Sequence, residues 1–328
     1  MRYDLVTFGE TMIRLSPPSF RRLEQTDILE VNVGGAELNV AVTAQRLGLK
    51  TAYITRLTQN ALGRMIANKA REHGVDTSHI VWTDADRVGL YFVEFGASPR
   101  ASSVLYDRRD SAMARIRPGE VDWDRVFQDA RAFHTSGITP ALSPTAAEAT
   151  QEAVRKAKEA GLLVSVDLNY RARLWREEEA RRVMTDLVRQ ADILITTEED
   201  TERVFGIKEP SYDKVAERLS REFDLAAVAI TVRETPSVWR NTWTAIAYAK
   251  GKLIRGPVYD IEIVDRVGAG DAFAGGFLFG YLTDGPEAGV RYGVAASTLK
   301  QTNPGDLLWA SQEEVERLLK GGGLRIVR

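Results

Sequence analysis

Short apolar runs, each too brief for a buried helix, recur along the chain between stretches of helical spacing. Leu5 to Phe8, Leu162 to Val166, Ile193 to Ile195 and Ala226 to Val232 have the length of strands, whereas Ala36 to Leu47 and Thr145 to Ala160 repeat apolar residues with the period of an amphipathic helix. A strand buried on both faces reads as a continuous apolar run, and strands alternating with helices build a parallel sheet with helices packed over it. The expected fold class is therefore α/β, with a mostly parallel central sheet flanked by helices. A chain of 328 residues fits one core of this type, so residues 1–328 are expected to form a single domain with an appendage.

Two early stretches break the rhythm. Arg14 to Val33 is a long, proline-containing connection that ends in apolar and polar alternation, and Val88 to Tyr106 has the pattern of two strands around Gly96-Ala97-Ser98-Pro99. The segments 12–33 and 88–110 are expected to build a small β-sheet lying over the main body as a lid; two surface hairpins without a role account for the same spacing. Further on, Glu177 to Gln190 and Tyr212 to Glu222 have helical spacing, and Trp243 to Ala249 and Lys252 to Ile254 flank Lys250-Gly251 as a hairpin. Gly270 to Leu282, Glu287 to Lys300 and Gln312 to Leu319 read as three consecutive helices.

Composition removes several classes of function. The net charge is −2 with bases and acids interspersed, which leaves no electrostatic footprint for nucleic acid or a membrane surface. A small molecule is the expected partner. Met1 to Leu15 lacks a basic segment followed by an apolar run, and no apolar stretch reaches the ~18 residues of a membrane span; a cytoplasmic location is expected. The absence of cysteine excludes disulfides, a thiol nucleophile and thiolate-bound zinc. His73, His79 and His134 are scattered without metal-ligand spacing and read as ordinary solvated or satisfied residues.

The most informative segment is Asp265-Arg266-Val267-Gly268-Ala269-Gly270-Asp271, ahead of the apolar run Ala272-Phe273-Ala274-Gly275-Gly276-Phe277. Small residues before a helix leave backbone N–H groups unobstructed, and the positive end of the helix favours an anion there. Gly268, Ala269 and Gly270 are thus candidates for a phosphate cradle. Asp271 falls in the first helical turn, where a carboxylate also serves as cap or dipole partner, and a glycine-rich turn also serves to bring helix and strand close. The string alone leaves both readings open. No Gly-Lys-Ser/Thr follows it and no Gly-x-Gly-x-x-Gly opens a first βαβ unit, so neither a Walker-type nor a Rossmann-type site is expected. A second segment, Gly34-Gly35-Ala36-Glu37-Leu38-Asn39-Val40-Ala41, places a glycine pair before a helix of small residues. Backbone contact with a ligand and close helix-to-sheet packing, with Asn39 satisfying a buried backbone group, are both compatible with it.

Together the two segments resemble the paired signatures, one early and one late, of the ribokinase or phosphofructokinase B family of carbohydrate kinases. The resemblance extends over nearly the whole chain, including Phe8-Gly9-Glu10 and Asp167-Leu168-Asn169-Tyr170-Arg171. Within the family it is nearest to the 2-keto-3-deoxygluconate kinases, through Gly34 to Glu37, Leu90-Tyr91-Phe92, Tyr106-Asp107-Arg108, Ser136 to Ser143, Asn169-Tyr170-Arg171 and Thr231 to Thr235. It implies a ribokinase-like three-layer fold and ATP and Mg2+ as cofactors, with a monovalent cation as a further candidate; separately, an exposed lid sheet would suit homo-oligomers formed through it. By position it implies Asp271 as the base and Gly268, Ala269 and Gly270 as the anion hole. It also implies substrate contacts from Gly35, Asn39, Tyr91, Tyr106, Arg108 and Arg171. Thr197, Thr231, Arg233, Gly268 and Gly270 fall to the nucleotide, and Asp200 to the metal through water.

The two arginines argue for a sugar acid, because a planar, permanently charged fork matches a carboxylate bidentately whereas neutral sugars are read by hydroxyl-directed hydrogen bonds. The expected reaction is 2-keto-3-deoxygluconate plus ATP giving the 6-phosphate and ADP. A fructokinase or ribokinase acting on a neutral sugar, a non-catalytic sugar-binding sensor and, last, a dehydrogenase are the alternatives. The chain departs from the wider family pattern at Thr197 and Asp200, at Arg233-Glu234-Thr235-Pro236 where many members carry glycines, and at Arg266. The second departure bears on how the nucleotide phosphates are held.

Overall fold

The computed structural model describes residues 3–322, with the backbone course alone at 234–236. The chain opens with β1 (Tyr3–Phe8), β2 (Met12–Ser16), β3 (Glu30–Gly34), α1 (Ala36–Arg46), β4 (Thr51–Ile54), β5 (Arg56–Thr58), α2 (Ala61–Glu72), β6 (Val81–Thr83), β7 (Leu90–Glu94) and β8 (Ser103–Asp107). It continues through α3 (Trp123–Phe127), β9 (Ala130–Ser136), α4 (Pro144–Glu159), β10 (Leu163–Asp167), α5 (Glu177–Val188), β11 (Ile193–Thr196), α6 (Glu198–Phe205) and α7 (Tyr212–Phe223). An antiparallel run, β12 (Ala227–Ser237), β13 (Arg240–Ala249), β14 (Lys252–Arg255) and β15 (Tyr259–Glu262), precedes the closing helices α8 (Ala269–Asp284), α9 (Pro286–Lys300) and α10 (Gln312–Leu319).

The large sheet has the order β14-β13-β12-β11-β10-β9-β1-β4, with β15 also paired to β13. From β12 to β4 every pair is parallel, and the pairs beyond β12 are antiparallel. Successive side chains of a strand point to opposite faces, and the two cores follow that alternation. Val6, Phe8, Leu194, Val228 and Ile230 pack with α4, α5 and α7, while Leu5, Ile193, Ile195, Ala227 and Ala229 pack with α1, α8, α9 and α10. The result is the expected three-layer α/β fold. Helices read from sequence lie within a residue or two of their observed ends.

The small sheet is also present, in the order β3-β2-β7-β8. It is mixed, since β2 and β7 run parallel while the outer pairs are antiparallel. One boundary needs correction: the connection read from Arg14 onward begins only after β2, and Arg14 lies inside that strand, fully buried. A lone buried guanidinium is prohibitive; here Asp265 and Asp306 meet it at 2.7 and 2.8 Å, which no local pattern reveals. β12 also runs on past Val232 to Ser237, because β13 continues to pair with it through an irregularity between Glu234 and Ser237.

The helix that carries Asp271 is fixed by glycines. A Cβ at Gly276 would lie 2.7 Å from the Tyr292 carbonyl oxygen, and one at Gly280 would lie 2.5 Å from the Ala288 carbonyl, so α8 and α9 touch backbone to backbone. Gly280→Ala gains about 1 kcal/mol of helix propensity but must force the helices apart, an overpacking cost of about 1–3 kcal/mol. A lowered thermal midpoint is expected in calorimetry; an unchanged or raised midpoint would show that the crossing is loose.

Candidate active site

Ligands of open α/β sheets bind outside the carboxyl ends of the strands, where the order of connections reverses. Here the chain passes from β1 to β4 on one side and returns to β9 on the other. A cleft of about 630 Å³ opens there, between the strand ends, the first turns of α1 and α8, and the small sheet. Glu10 follows β1, Asp167 closes β10 with Asn169, Tyr170 and Arg171 after it, and Thr197 to Asp200 follow β11; Thr231 and Arg233 come from β12. Met12, Gly34, Tyr91 and Tyr106 enter from the small sheet, with Arg108 just past it. All the residues expected at the site therefore line a single cleft.

Gly268 caps α8 in the left-handed region, φ 84°, which favours glycine. A Cβ there would also strike the Asp306 backbone. The Ala269 N–H turns back to the Arg266 carbonyl at 3.2 Å, so an anion in the turn competes with that bond. Asp271, half-buried in the first turn of α8, accepts 2.7 Å from Asn39 Nδ2, and the Gly35 N–H donates to Asn39 Oδ1 at 3.4 Å. Burial pushes the Asp271 carboxyl up to about 6, against the lowering effects of Asn39 and the Arg171 charge. Asp167 and Asp200 are raised as well, first by burial; the Asp271 and Asp200 charges then add to the rise at Asp167. Arg171 opposes all three shifts. Thr197 caps α6 by accepting the Asp200 N–H at 3.1 Å.

On the small-sheet side, Tyr91 and Tyr106 stack with ring centroids 6.0 Å apart, and the Tyr91 hydroxyl donates to Asp306. The Arg108 guanidinium lies over Tyr106, 5.5 Å from the ring centre. Its Nε and Nη2 both donate to Glu10 Oε2, the Nε at 2.8 Å, and Ser111 donates to the other Glu10 oxygen. Arg108 is therefore held in place by a carboxylate of the protein. Glu37 lies fully buried behind the cleft; its Oε1 accepts from the Ser136 N–H at 3.0 Å, the Ser136 hydroxyl at 2.6 Å and the Thr139 hydroxyl at 2.9 Å. Burial still raises its carboxyl to about 7.

Glu10, Asp167, Arg266 and Asp306 line the cleft although the sequence did not single them out as ligands. For Glu10 and Asp167 a signal existed, since each lies at the carboxyl end of an apolar strand run. Asp306 had none: it is far in sequence from Arg14, Gly34 and Tyr91, which it meets in the fold. Burial, and after it the nearby Arg233 charge, lower the proton affinity of Arg266.

The sequence matches the pfkB family of carbohydrate kinases over residues 2–310, and the chain belongs to that family. It is 41% identical to a 2-dehydro-3-deoxygalactonokinase of Haloferax volcanii, over 100% of both chains. It is 32% identical to a 2-dehydro-3-deoxygluconokinase of Thermoproteus tenax, over 97% of this chain and 94% of that one. Among solved structures, a 2-dehydro-3-deoxygluconokinase of Thermotoga maritima superposes with a TM-score of 0.94 at 43% identity, covering 98% of this chain and 99% of that one. The protein is a carbohydrate kinase of ribokinase-like fold. Among the described residues no helix is long and apolar enough to cross a membrane.

A raised carboxylate favours its neutral form in the fold, so ionising Asp271 withdraws stability as pH rises from its ordinary 3.8 through about 6. Asp271→Asn is expected to raise the thermal midpoint at pH 8 and leave it nearly unchanged at pH 4. Asn39→Ala removes a bond to the ionised form, so the Asp271 titration seen by carboxyl NMR should move above 6. A midpoint near 4 in the parent protein would refute the buried environment.

Proposed function

We propose that the site transfers the γ-phosphoryl group of ATP to the primary hydroxyl of a sugar acid, with 2-keto-3-deoxygluconate giving its 6-phosphate as the preferred reaction. The observation that carries this reading is the Asp271 carboxylate, bonded to Asn39 at 2.7 Å and set in the turn beside Gly268, Ala269 and Gly270. With its proton affinity raised to about 6, Asp271 accepts the hydroxyl proton more readily than an ordinary aspartate while remaining ionised at neutral pH. The adjoining amides and helix terminus suit the charge that spreads over the transferred phosphoryl oxygens. Thr197, Thr231 and Arg233 take the nucleotide side of the cleft, with Gly268 and Gly270 on its terminal phosphate.

The cleft fits magnesium. Mg2+ keeps most of its waters and takes one or two carboxylates with substrate phosphates; Asp167 is raised first by burial and then by the Asp271 and Asp200 charges, so a cation beside these carboxylates is favoured. Asp200, through water, and Asp167 are the residues to hold it; when bound, the ion neutralises phosphate charge. Among the described residues no group of three metal-binding side chains is assembled.

For the acceptor, Arg171 and Arg108 supply positive charge, Gly35 and Asn39 polar backbone and amide groups, and Tyr91 and Tyr106 a stacked wall. The names of the similar kinases support a 2-keto-3-deoxy acid; that of the Haloferax volcanii relative favours the galactonate-derived epimer as a second reading. The small sheet acts as the lid that closes over the sugar and excludes water, all within one domain. Its outer face exposes Val31 and Leu105, which supports pairing of two copies through the lid, measurable by sedimentation. A cytoplasmic location, where ATP is at hand, completes the reading.

A panel of sugars and sugar acids assayed with ATP and magnesium tests it. Keto-deoxy acids should be turned over fastest, with kcat/KM on the two epimers deciding between them. Arg171→Ala and Arg108→Ala should each cost about 2–5 kcal/mol on the acid and much less on a neutral analogue. Asp271→Ala should lower kcat by about 10²-fold or more with sugar binding retained. A best rate on fructose or ribose would overturn the acid assignment, and near-normal turnover of the Asp271 variant would remove the base.

A further inference from the structure

Lys300, the last residue of α9, sends its side chain into the protein behind the phosphate turn. It is fully buried, and its Nζ donates to the Asp265 carbonyl oxygen at 2.8 Å. Asp265 opens the turn that ends at Asp271 and anchors it on both oxygens. Oδ1 accepts the Val267 N–H at 3.0 Å; Oδ2 accepts the Gly305 N–H at 3.0 Å and meets Arg14 Nη2 at 2.7 Å. Arg14 Nη1 reaches Asp306 at 2.8 Å. Two cations and two carboxylates are thus withdrawn from water together, none more than 4% exposed, and their formal charges sum to zero. Burial lowers the proton affinity of Lys300 only to about 8, with Asp265 and Asp306 opposing the shift, so the ammonium is charged at neutral pH.

We infer that Lys300 is a tethered cation that holds the Asp265 to Asp271 turn in its anion-binding shape and supplies positive charge behind it, so that the kinase needs no monovalent metal cation. The inference rests on the kinase reading of the site. An ammonium and a potassium ion are alike in charge and size, and both are satisfied by carbonyl oxygens; at the base of this turn the Asp265 carbonyl is already taken by Lys300. A free monovalent cation there would add a charge that the two carboxylates do not balance. Removing the lysine charge leaves the cluster at −1 directly behind a site for phosphate, which penalises the nucleotide and its transition state more than the sugar. A side chain of the protein itself therefore takes the place of the monovalent cation that was a further candidate cofactor.

The test begins with the wild-type enzyme. With Mg-ATP and the sugar acid, chloride salts of sodium, potassium, lithium and tetramethylammonium at equal ionic strength should give kcat and KM equal within about two-fold, a span of about 0.4 kcal/mol. The thermal midpoint of the ligand-free protein should be the same in all four salts. Lys300→Met keeps the bulk without the charge and should lower kcat/KM for ATP by at least about ten-fold, a modest share of the 10²–10³ that follows loss of one oxyanion donor, with the KM for the sugar acid little changed. Lys300→Ala leaves room for an ion, so ammonium or potassium should restore its activity several-fold where tetramethylammonium does not. Several-fold activation or stabilisation of the wild type by potassium over tetramethylammonium would overturn the inference, as would wild-type kinetics in Lys300→Met. If neither variant folds, the two wild-type salt series decide. If no sugar acid is phosphorylated, the kinase reading of the acceptor fails separately, and the thermal series still reports whether a cation binds.

Discussion

Four charges share one dry volume where the small sheet meets the main body: Arg14 from β2, Asp265 before the phosphate turn, Lys300 from α9 and Asp306 beyond it. Each alone would be untenable there, and removal of one partner from a buried pair typically costs about 3–5 kcal/mol because an uncompensated charge stays behind. The arrangement is tolerable only because every member is met by an opposite charge or a backbone dipole at hydrogen-bonding distance. It ties three segments, remote in sequence, into one register. The turn from Gly268 to Asp271 is held by Asp265, and the Tyr91 wall of the cleft is held by Asp306. The two sides of the cleft to which the proposed function assigns phosphate and sugar are therefore parts of one electrostatic unit.

The cleft itself is charged against its own stability. Asp167, Asp200 and Asp271 are all raised, first by burial, with Arg171 the opposing cation shared by the three. Carboxylates in such proximity are costly in the empty protein. On the proposed function that cost is relieved when a cation-bearing nucleotide binds. The Glu10 to Arg108 pair works in the opposite sense. It holds the guanidinium oriented over Tyr106 and leaves the Nη1 edge outside the pair with Glu10; on the proposed function this reduces the side-chain entropy lost on binding.

The layered α/β architecture was legible in the sequence because strand and helix periods are local properties: the run at Ile193 to Ile195 and the small-residue helix after Gly35 report their own environment. The turn from Gly268 to Asp271 was legible for a similar reason, since backbone amides at a helix start need only small residues in order. Chemistry at the strand ends, Glu10 and Asp167, was half-visible, because position after an apolar run suggests the cleft but not the partner.

What the sequence by itself determined is thus the set of elements and the glycine turn at Gly268 to Gly270 that leads into Asp271. Tertiary structure alone decided that Arg14 is interior, that Arg108 is paired to Glu10, and that Lys300 stands behind the turn. Those outcomes depend on groups that meet from afar in sequence, 292 residues apart for Arg14 and Asp306, 98 for Arg108 and Glu10 and 35 for Lys300 and Asp265. The energy of a buried charge is set by its neighbours in space, which no local pattern of residues records.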